Sequence, residues 1–390
     1  MTAPSDRAMS TLLDGLASTL REWSRQSRDF NRLALEIHEI QRAANPVLRR
    51  YWDANTARDP SSWEEIPPVP VAAFRDVPIV SGVPEVTFRT SGTSGTTGGG
   101  GRRGEHHVAS LDLYHASARE NYRRHLLGGL ETVSVVSLIP CPEDAPDSSL
   151  SVMAGFICRE PEVSSATWAF NPEHGVDAGA VREAAGEAFR VGDPVLLLTT
   201  AFALVHLLDE LAGQGADHRH GNGERASADG RLPLPEGSRV METGGFKGRV
   251  AAVDRGALYG RVERVLGVPE SHIASEYGMT ELLSQAYDRV AGAESPCESA
   301  ARVLRFPPWV RTRALDPATL APLPPGDSGL LAYFDLANAG SVCHVLTEDF
   351  GCTTDDGGLH LLGRAPGASL RGCSLVAESF LRATRRGARS

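Results

Sequence analysis

Phe88-Arg89-Thr90-Ser91-Gly92-Thr93-Ser94-Gly95-Thr96-Thr97-Gly98, continued by three further glycines at 99–101, is the most telling stretch of this 390-residue chain. Six hydroxyls interleave with the glycines. Glycine lets backbone approach an anion closely and adopt dihedrals closed to other residues, and the hydroxyls add donors. Together they suit the phosphate oxygens of a nucleotide. The stretch lacks the GxxxxGK[ST] ending of a Walker loop, and it is not a GxGxxG turn placed for a nicotinamide cofactor. A low-complexity linker is the competing reading, weakened by the apolar segment before it and by motifs far downstream.

Upstream, residues 8–55 place Phe30, Leu33, Ile37, Ile40, Val47 and Leu48 at helical spacing, which predicts an amphipathic helical lead-in packed on the main body. The Pro-rich segment at 66–71 reads as extended. Downstream, 133–139 and 195–198 read as buried strands, and 181–189 and 202–211 as helices. That alternation predicts α/β layering. Residues 213–238, rich in Gly, His, Asp and Pro, read as an exposed loop; His218 and His220 within it lack companions that would fix a metal geometry.

A formal charge of -10 gives no support to a nucleic-acid surface. No apolar run reaches bilayer-spanning length, and acidic residues near the start do not suit a signal peptide. The six cysteines lack paired zinc spacing and the density of a disulfide scaffold, so the reading is a reduced, cytoplasmic protein without an integral membrane segment. Lys247 is the sole lysine against 38 arginines, so any site that needs an ammonium has one side chain to recruit.

Three later segments extend the reading. Ser275-Glu276-Tyr277-Gly278-Met279-Thr280-Glu281 joins an aromatic, a glycine, a hydroxyl and a carboxylate. Thr347-Glu348-Asp349-Phe350-Gly351 offers a carboxylate able to accept two hydrogen bonds, and Gly363-Arg364 follows. Met241-Glu242-Thr243-Gly244-Gly245-Phe246-Lys247-Gly248 brings paired glycines next to the sole lysine.

With the loop at 90–98, these segments resemble those of the acyl- and aryl-adenylate-forming synthetases. The resemblance implies a large layered α/β adenylate-forming domain with a truncated C-terminal extension. Its expected limits are 1–364 for the helical lead-in and adenylation domain, and 365–390 for a rudimentary mobile segment. It also implies ATP and Mg²⁺ as cofactors. Thr90, Ser91, Gly92, Thr93, Ser94, Gly95, Thr96, Thr97 and Gly98 would hold phosphates, Tyr277 and Gly278 would lie near adenine, and Thr280 would contact phosphate. Glu281 would hold the metal, Asp349 the ribose hydroxyls, and Arg364 ribose or phosphate; Gly244 and Gly245 would border the adenylate. Family members often place a lysine soon after the phosphate loop, where this chain has Arg102-Arg103. They usually carry a catalytic lysine in a C-terminal domain, whereas this chain ends 26 residues after Arg364; Lys247 is then the only internal choice.

Within that superfamily the chain resembles the LuxE-like acyl-protein synthetases. Pro307-Pro308-Trp309-Val310-Arg311-Thr312-Arg313, the run at 329–336 and Arg371-Gly372-Cys373-Ser374-Leu375 carry this narrower likeness. It implies transfer of the acyl group from adenylate to Cys373 and then to a reductase or acyl-carrier partner, with a fatty acid as the suggested substrate. Two alternatives remain open. One is a CoA ligase or an amide- or ester-forming synthetase using an external nucleophile; the other is a non-catalytic binding or scaffold protein.

Overall fold

Three amphipathic helices begin the computed structural model, which describes residues 4–23, 29–90, 102–217, 230–244, 254–293, 302–365 and 371–385. They are α1 (Pro4–Arg21), α2 (Phe30–Ala44) and α3 (Pro46–Asn55). The Asp29 carboxylate caps α2 by accepting the Arg32 N–H at 3.0 Å. Asn45 caps α3 through the Val47 and Leu48 N–H groups, and Pro46 takes the first turn, where no N–H is needed. Leu20, Phe30, Ile37, Leu48 and Trp52 are buried in the main core, as the helical spacing predicts. The paired arginines near 312 serve this packing: Arg311 lies 4.2 Å over the Phe30 ring and Arg313 5.5 Å over Trp63.

The chain then runs through β1 (Val69–Pro70), the one-turn α4 (Ala73–Asp76) and the hairpin β2 (Val86–Arg89)–β3 (Glu105–Val108). After α5 (Leu111–Tyr122) come β4 (Val133–Ser137), α6 (Ser149–Ile157), β5 (Val163–Trp168) and the small hairpin β6 (Phe170–Asn171)–β7 (Gly175–Val176). Next are α7 (Ala178–Val191), β8 (Val195–Thr200), α8 (Ala201–Asp217), β9 (Arg239–Thr243), α9 (Arg255–Leu266), β10 (Ile273–Tyr277) and β11 (Ala286–Tyr287). The expected strands and helices at 133–211 are thus present. Helix α8, however, continues to Asp217, so the first residues of the stretch expected as a loop are helical. Gly213 and Gly215 cost a helix about 1 kcal/mol each without breaking its hydrogen bonding. His218 and His220 lie outside the described residues.

One sheet has the order β11-β10-β9-β8-β4-β5, parallel except at β10–β11. Alternation along its strands sorts side chains into two layers. Val135, Leu198, Met241 and Ala274 face the core shared with α5 and α6; Val136, Leu197, Val240 and Ile273 face α7, α8 and α9. This is a helix–sheet–helix sandwich, the layered α/β body expected.

A second sheet combines β1 with β12 (Val310–Leu315), β13 (Gly329–Asp335), β14 (His344–Thr353) and β15 (Leu359–Arg364). Its order is β1-β14-β13-β12 with β15 also on β14, and only β1–β14 is parallel. The final helix, α10 (Arg371–Arg385), packs on α3, β1, α4 and β14. Its Phe380 is buried, ring centroid 5.0 Å from that of Tyr51. No helix among the described residues is long and apolar enough to cross a membrane.

Candidate active site

The C-terminal ends of β9 and β10 open onto a cavity of about 360 Å³ that reaches across to β14 and β15. A parallel sheet concentrates ligand sites at this end, because the loops there leave a crevice between elements. Thr90, Gly244, Gly278, Thr280, Glu281, Asp349 and Arg364 all line it. Residues separated by more than half the chain therefore meet in one place. A smaller cavity of about 110 Å³ adjoins it and includes Tyr277, Gly244 and Gly278 in its wall.

The turn after β10 is held from three sides. His106 of β3 bonds the Thr280 carbonyl through Nδ1 at 2.7 Å. Burial lowers the pKa of this imidazole to about 4, so it is the neutral ring that donates there. Asn338 donates to the Glu281 carbonyl at 2.8 Å, and the buried Asp335 accepts from Leu283 N–H and Ser284 Oγ. The Glu281 carboxyl is consequently fixed at the cavity wall and almost wholly buried. Desolvation pushes its pKa up to about 7, against the weaker pull of its own backbone N–H and of Arg364. A carboxylate so placed fits a divalent cation, which would replace the lost hydration. No group of three His, Cys, Asp or Glu able to hold a metal occurs among the described residues. One protein carboxylate with substrate oxygens and water is the donor set magnesium accepts.

Asp349 on β14 accepts the Tyr277 hydroxyl at 2.7 Å through Oδ2, while Tyr333 donates to Tyr277 at 3.2 Å. The other Asp349 oxygen is buried without a hydrogen-bond partner, although Arg364 Nε is 3.3 Å away. An acceptor left over in a cavity wall suits a ligand hydroxyl. Gly244 sits where β9 leaves the sheet at φ 82, a conformation L side chains rarely adopt.

Sequence reading missed several residues here. Arg75, on the one-turn α4, lines the cavity and lies 3.7 Å from Glu348, which also holds Arg364 at 2.8 Å. Two guanidiniums thus flank one carboxylate beside Thr90 and Thr280. The pair that stands where a lysine was expected is used otherwise: Arg103 donates to the Thr90 and Arg89 carbonyls and to Asp147, and Arg102 is exposed. Tyr114, Met153, Thr243, Glu276 and Gln285 were also unread as cavity residues. Glu276 stood inside a quoted motif, where its β-strand alternation with Tyr277 was the available signal; Arg75 had none. Residues 91–98, Gly245 and Lys247 lie outside the described residues, and Cys373 is described only as part of the α10 backbone.

Residues 231–381 match the family described as "Acyl-protein synthetase, LuxE". Over that segment the chain is LuxE-like. Two long-chain-fatty-acid–luciferin-component ligases add to this: that of Vibrio harveyi is 37% identical over 81 residues, 19% of this chain and 21% of the ligase. That of Aliivibrio fischeri is 47% identical over 45 residues, 12% of each chain. These matches span about a fifth or less of the relatives' length. Among solved structures, a 2-hydroxyisobutyryl-CoA ligase in an open conformation superposes with a TM-score of 0.57 at 16% identity, covering 85% of this chain and 74% of that one. The chain shares the fold of that ligase, and the LuxE-like segment runs from β9 into α10 and holds Glu281, Asp349 and Arg364.

Proposed function

We propose that this protein activates a carboxylic acid with ATP as an acyl-adenylate, then passes the acyl group through Cys373 to an acceptor protein. The convergence of Thr90, Thr280, Glu281, Asp349 and Arg364 on one cavity carries the reading. Asp349 would hold the ribose through Oδ1, the oxygen that has no hydrogen-bond partner and is ion-paired with Arg364. Thr90, Thr280, Arg75 and Arg364 would hold the phosphates, and Glu281 would hold the magnesium ion, which offsets phosphate charge when bound. A substrate carboxylate oxygen attacks the α-phosphorus; the bond to the β-phosphate oxygen breaks and pyrophosphate leaves. Lys247, the only ammonium in the sequence, is proposed to stabilise the charge that develops.

In the second step the Cys373 thiolate attacks the acyl carbon and AMP departs with the bonding pair. Residue 373 lies in the first turn of α10, where the helix dipole favours a thiolate. That helix packs on α4 and β14, the elements bearing Arg75 and Asp349. Two other cysteines are poorly suited: burial raises the Cys343 thiol well above its ordinary range and Cys158 to about 12. A thiol of the acceptor, a reductase or acyl carrier, would then take the acyl group by exchange.

Acid-dependent exchange of labelled pyrophosphate into ATP tests the first step. Exchange that requires both an acid and magnesium is expected; folded protein inactive across a broad acid panel would favour a scaffold role instead. Arg75→Ala is expected to raise the KM for ATP about tenfold, with Arg75→Lys recovering part of the loss because charge returns without the fork. An unchanged KM removes Arg75 from phosphate binding.

A further inference from the structure

Strand β10 divides the cavity chemically. Tyr277 meets Asp349 and Tyr333 of the second sheet. Glu276, by alternation, faces with Ala274 toward α5 and α6, and Thr243 of β9 lies on the same side. This face of β10 is opposite the one that carries Tyr277, whose hydroxyl meets Asp349. The cavity wall includes Tyr114, Leu150 and Met153. Apolar residues there would suit a hydrocarbon chain, but two polar groups interrupt them.

Glu276 is only 5% exposed, and its carboxylate accepts from the Thr243 hydroxyl. Gln285 is 4% exposed, and its Oε1 has no partner. The β10–β11 register sets Glu276 opposite Tyr287, which brings Gln285 across from Gly278. Both side chains converge there: a Cβ on Gly278 would meet Glu276 Oε1 at 2.5 Å and Gln285 Cγ at 3.6 Å. Glycine keeps the spot open. Desolvation dominates at Glu276, opposed by the Thr243 bond and reinforced by the nearby Glu242 charge, so its pKa rises to about 7.

Structural carboxylates in this protein are better served. Asp335 accepts from Leu283, Ser284 and Ala337. Glu276 and Gln285 instead leave acceptor capacity at a cavity wall. A plain alkyl chain laid there would cover the Glu276 carboxylate and leave the Gln285 oxygen without a partner, which is costly for buried polar groups.

We propose that Glu276 and Gln285 form a hydrogen-bond-acceptor subsite for the acid substrate, selecting a carboxylic acid with a hydroxyl or ammonium donor on its chain over an unsubstituted fatty acid. The inference rests on the adenylation reading for its chemistry, but the preference is a property of binding. An ammonium ion would pair with the carboxylate, and a hydroxyl would donate to either acceptor.

The experiment compares unsubstituted, hydroxylated and amino-substituted acids of equal length, the substituent moved along the chain. Pyrophosphate exchange and calorimetric binding are measured on the full chain, Glu276→Gln and Glu276→Leu. Donor-bearing acids are expected to be preferred on the order of 100-fold or more, since a site built to bond a donor rejects the analogue lacking it. Glu276→Gln, close in shape, should erode the preference for the amino acids most, and Glu276→Leu should turn it toward the unsubstituted acid. Equal use of all acids by the native chain overturns the subsite. So does a variant that alters ATP-over-GTP discrimination while leaving acid preference intact, for Glu276 would then read the base. Donor-selective binding without exchange would retain the subsite and discard the adenylation reading.

Discussion

A protein carrying Glu281→Gln is expected to lose on the order of 100-fold of its magnesium-dependent adenylation rate, the scale on which removing one preorganised charge-stabilising group acts. No metal-ligating cluster surrounds the carboxylate among the described residues. A titration of exchange rate against magnesium checks this; an unaltered magnesium response removes Glu281 from the metal site. The pH dependence carries a second signature. Glu281 titrates near 7 in the folded protein against 4.5 for an ordinary glutamate. Below pH 7 the metal must displace a proton, so magnesium affinity in the native protein should rise with pH and flatten above about 7. The glutamine variant should show no such rise from this position.

Stability should move the other way. Between pH 4.5 and 7 the folded Glu281 keeps a proton that the unfolded chain releases. Raising the pH through this window therefore favours unfolding, with the contribution fully present below 4.5 and lost above 7. Without magnesium, the native protein should fall behind Glu281→Gln by an amount approaching 2–3 kcal/mol, on the order set by the shift. Thermal melts of the two proteins across that window measure the difference. A constant gap would mean that Glu281 is not held in a dry site.

Cys373→Ser has the other large expected effect: adenylation persists, and the thioester is lost entirely. Intact-mass measurement after incubation with ATP and a competent acid should show acylated native protein and an unmodified variant. The same hydroxylamine-labile adduct on Cys373→Ser would assign the nucleophile elsewhere, with Cys352 on β14 the next to replace. Unmodified native protein with continuing AMP release would point to an external acceptor, as in a CoA ligase.

Much of this organisation was legible in the chain. The lead-in helices announce themselves through Phe30, Leu33 and Ile37, and the buried strands through uninterrupted apolar runs such as Val195–Leu198, which the fold extends through two threonines to Thr200. Glu281, Asp349 and Arg364 were legible because short motifs keep their chemistry in fixed local order. Arg75 was not, since α4 is one turn long and offers no periodicity, and its relation to Glu348 depends on β1 pairing with β14. Gln285 escaped notice because its orphaned oxygen exists only once the β10–β11 register has formed. The Arg311 and Arg313 segment suggested family membership, and in the fold its guanidiniums cover rings of the lead-in. A recognisable sequence element need not touch the chemistry.

The embrace of α3 by α10 has a consequence for how the protein is made. Ser379 bonds Asn55 across 324 positions, and Phe380 closes over Tyr51. A nascent chain emerging at typical translation speeds waits roughly 15–65 s between the two. Throughout that interval the face of α3 that α10 covers has no native partner, and Val69 and Pro70 await the strand at 344–353. Chaperone dependence during synthesis should therefore concentrate on the first 80 or so residues, and ribosome-stalled chains ending before 371 should be the aggregation-prone species.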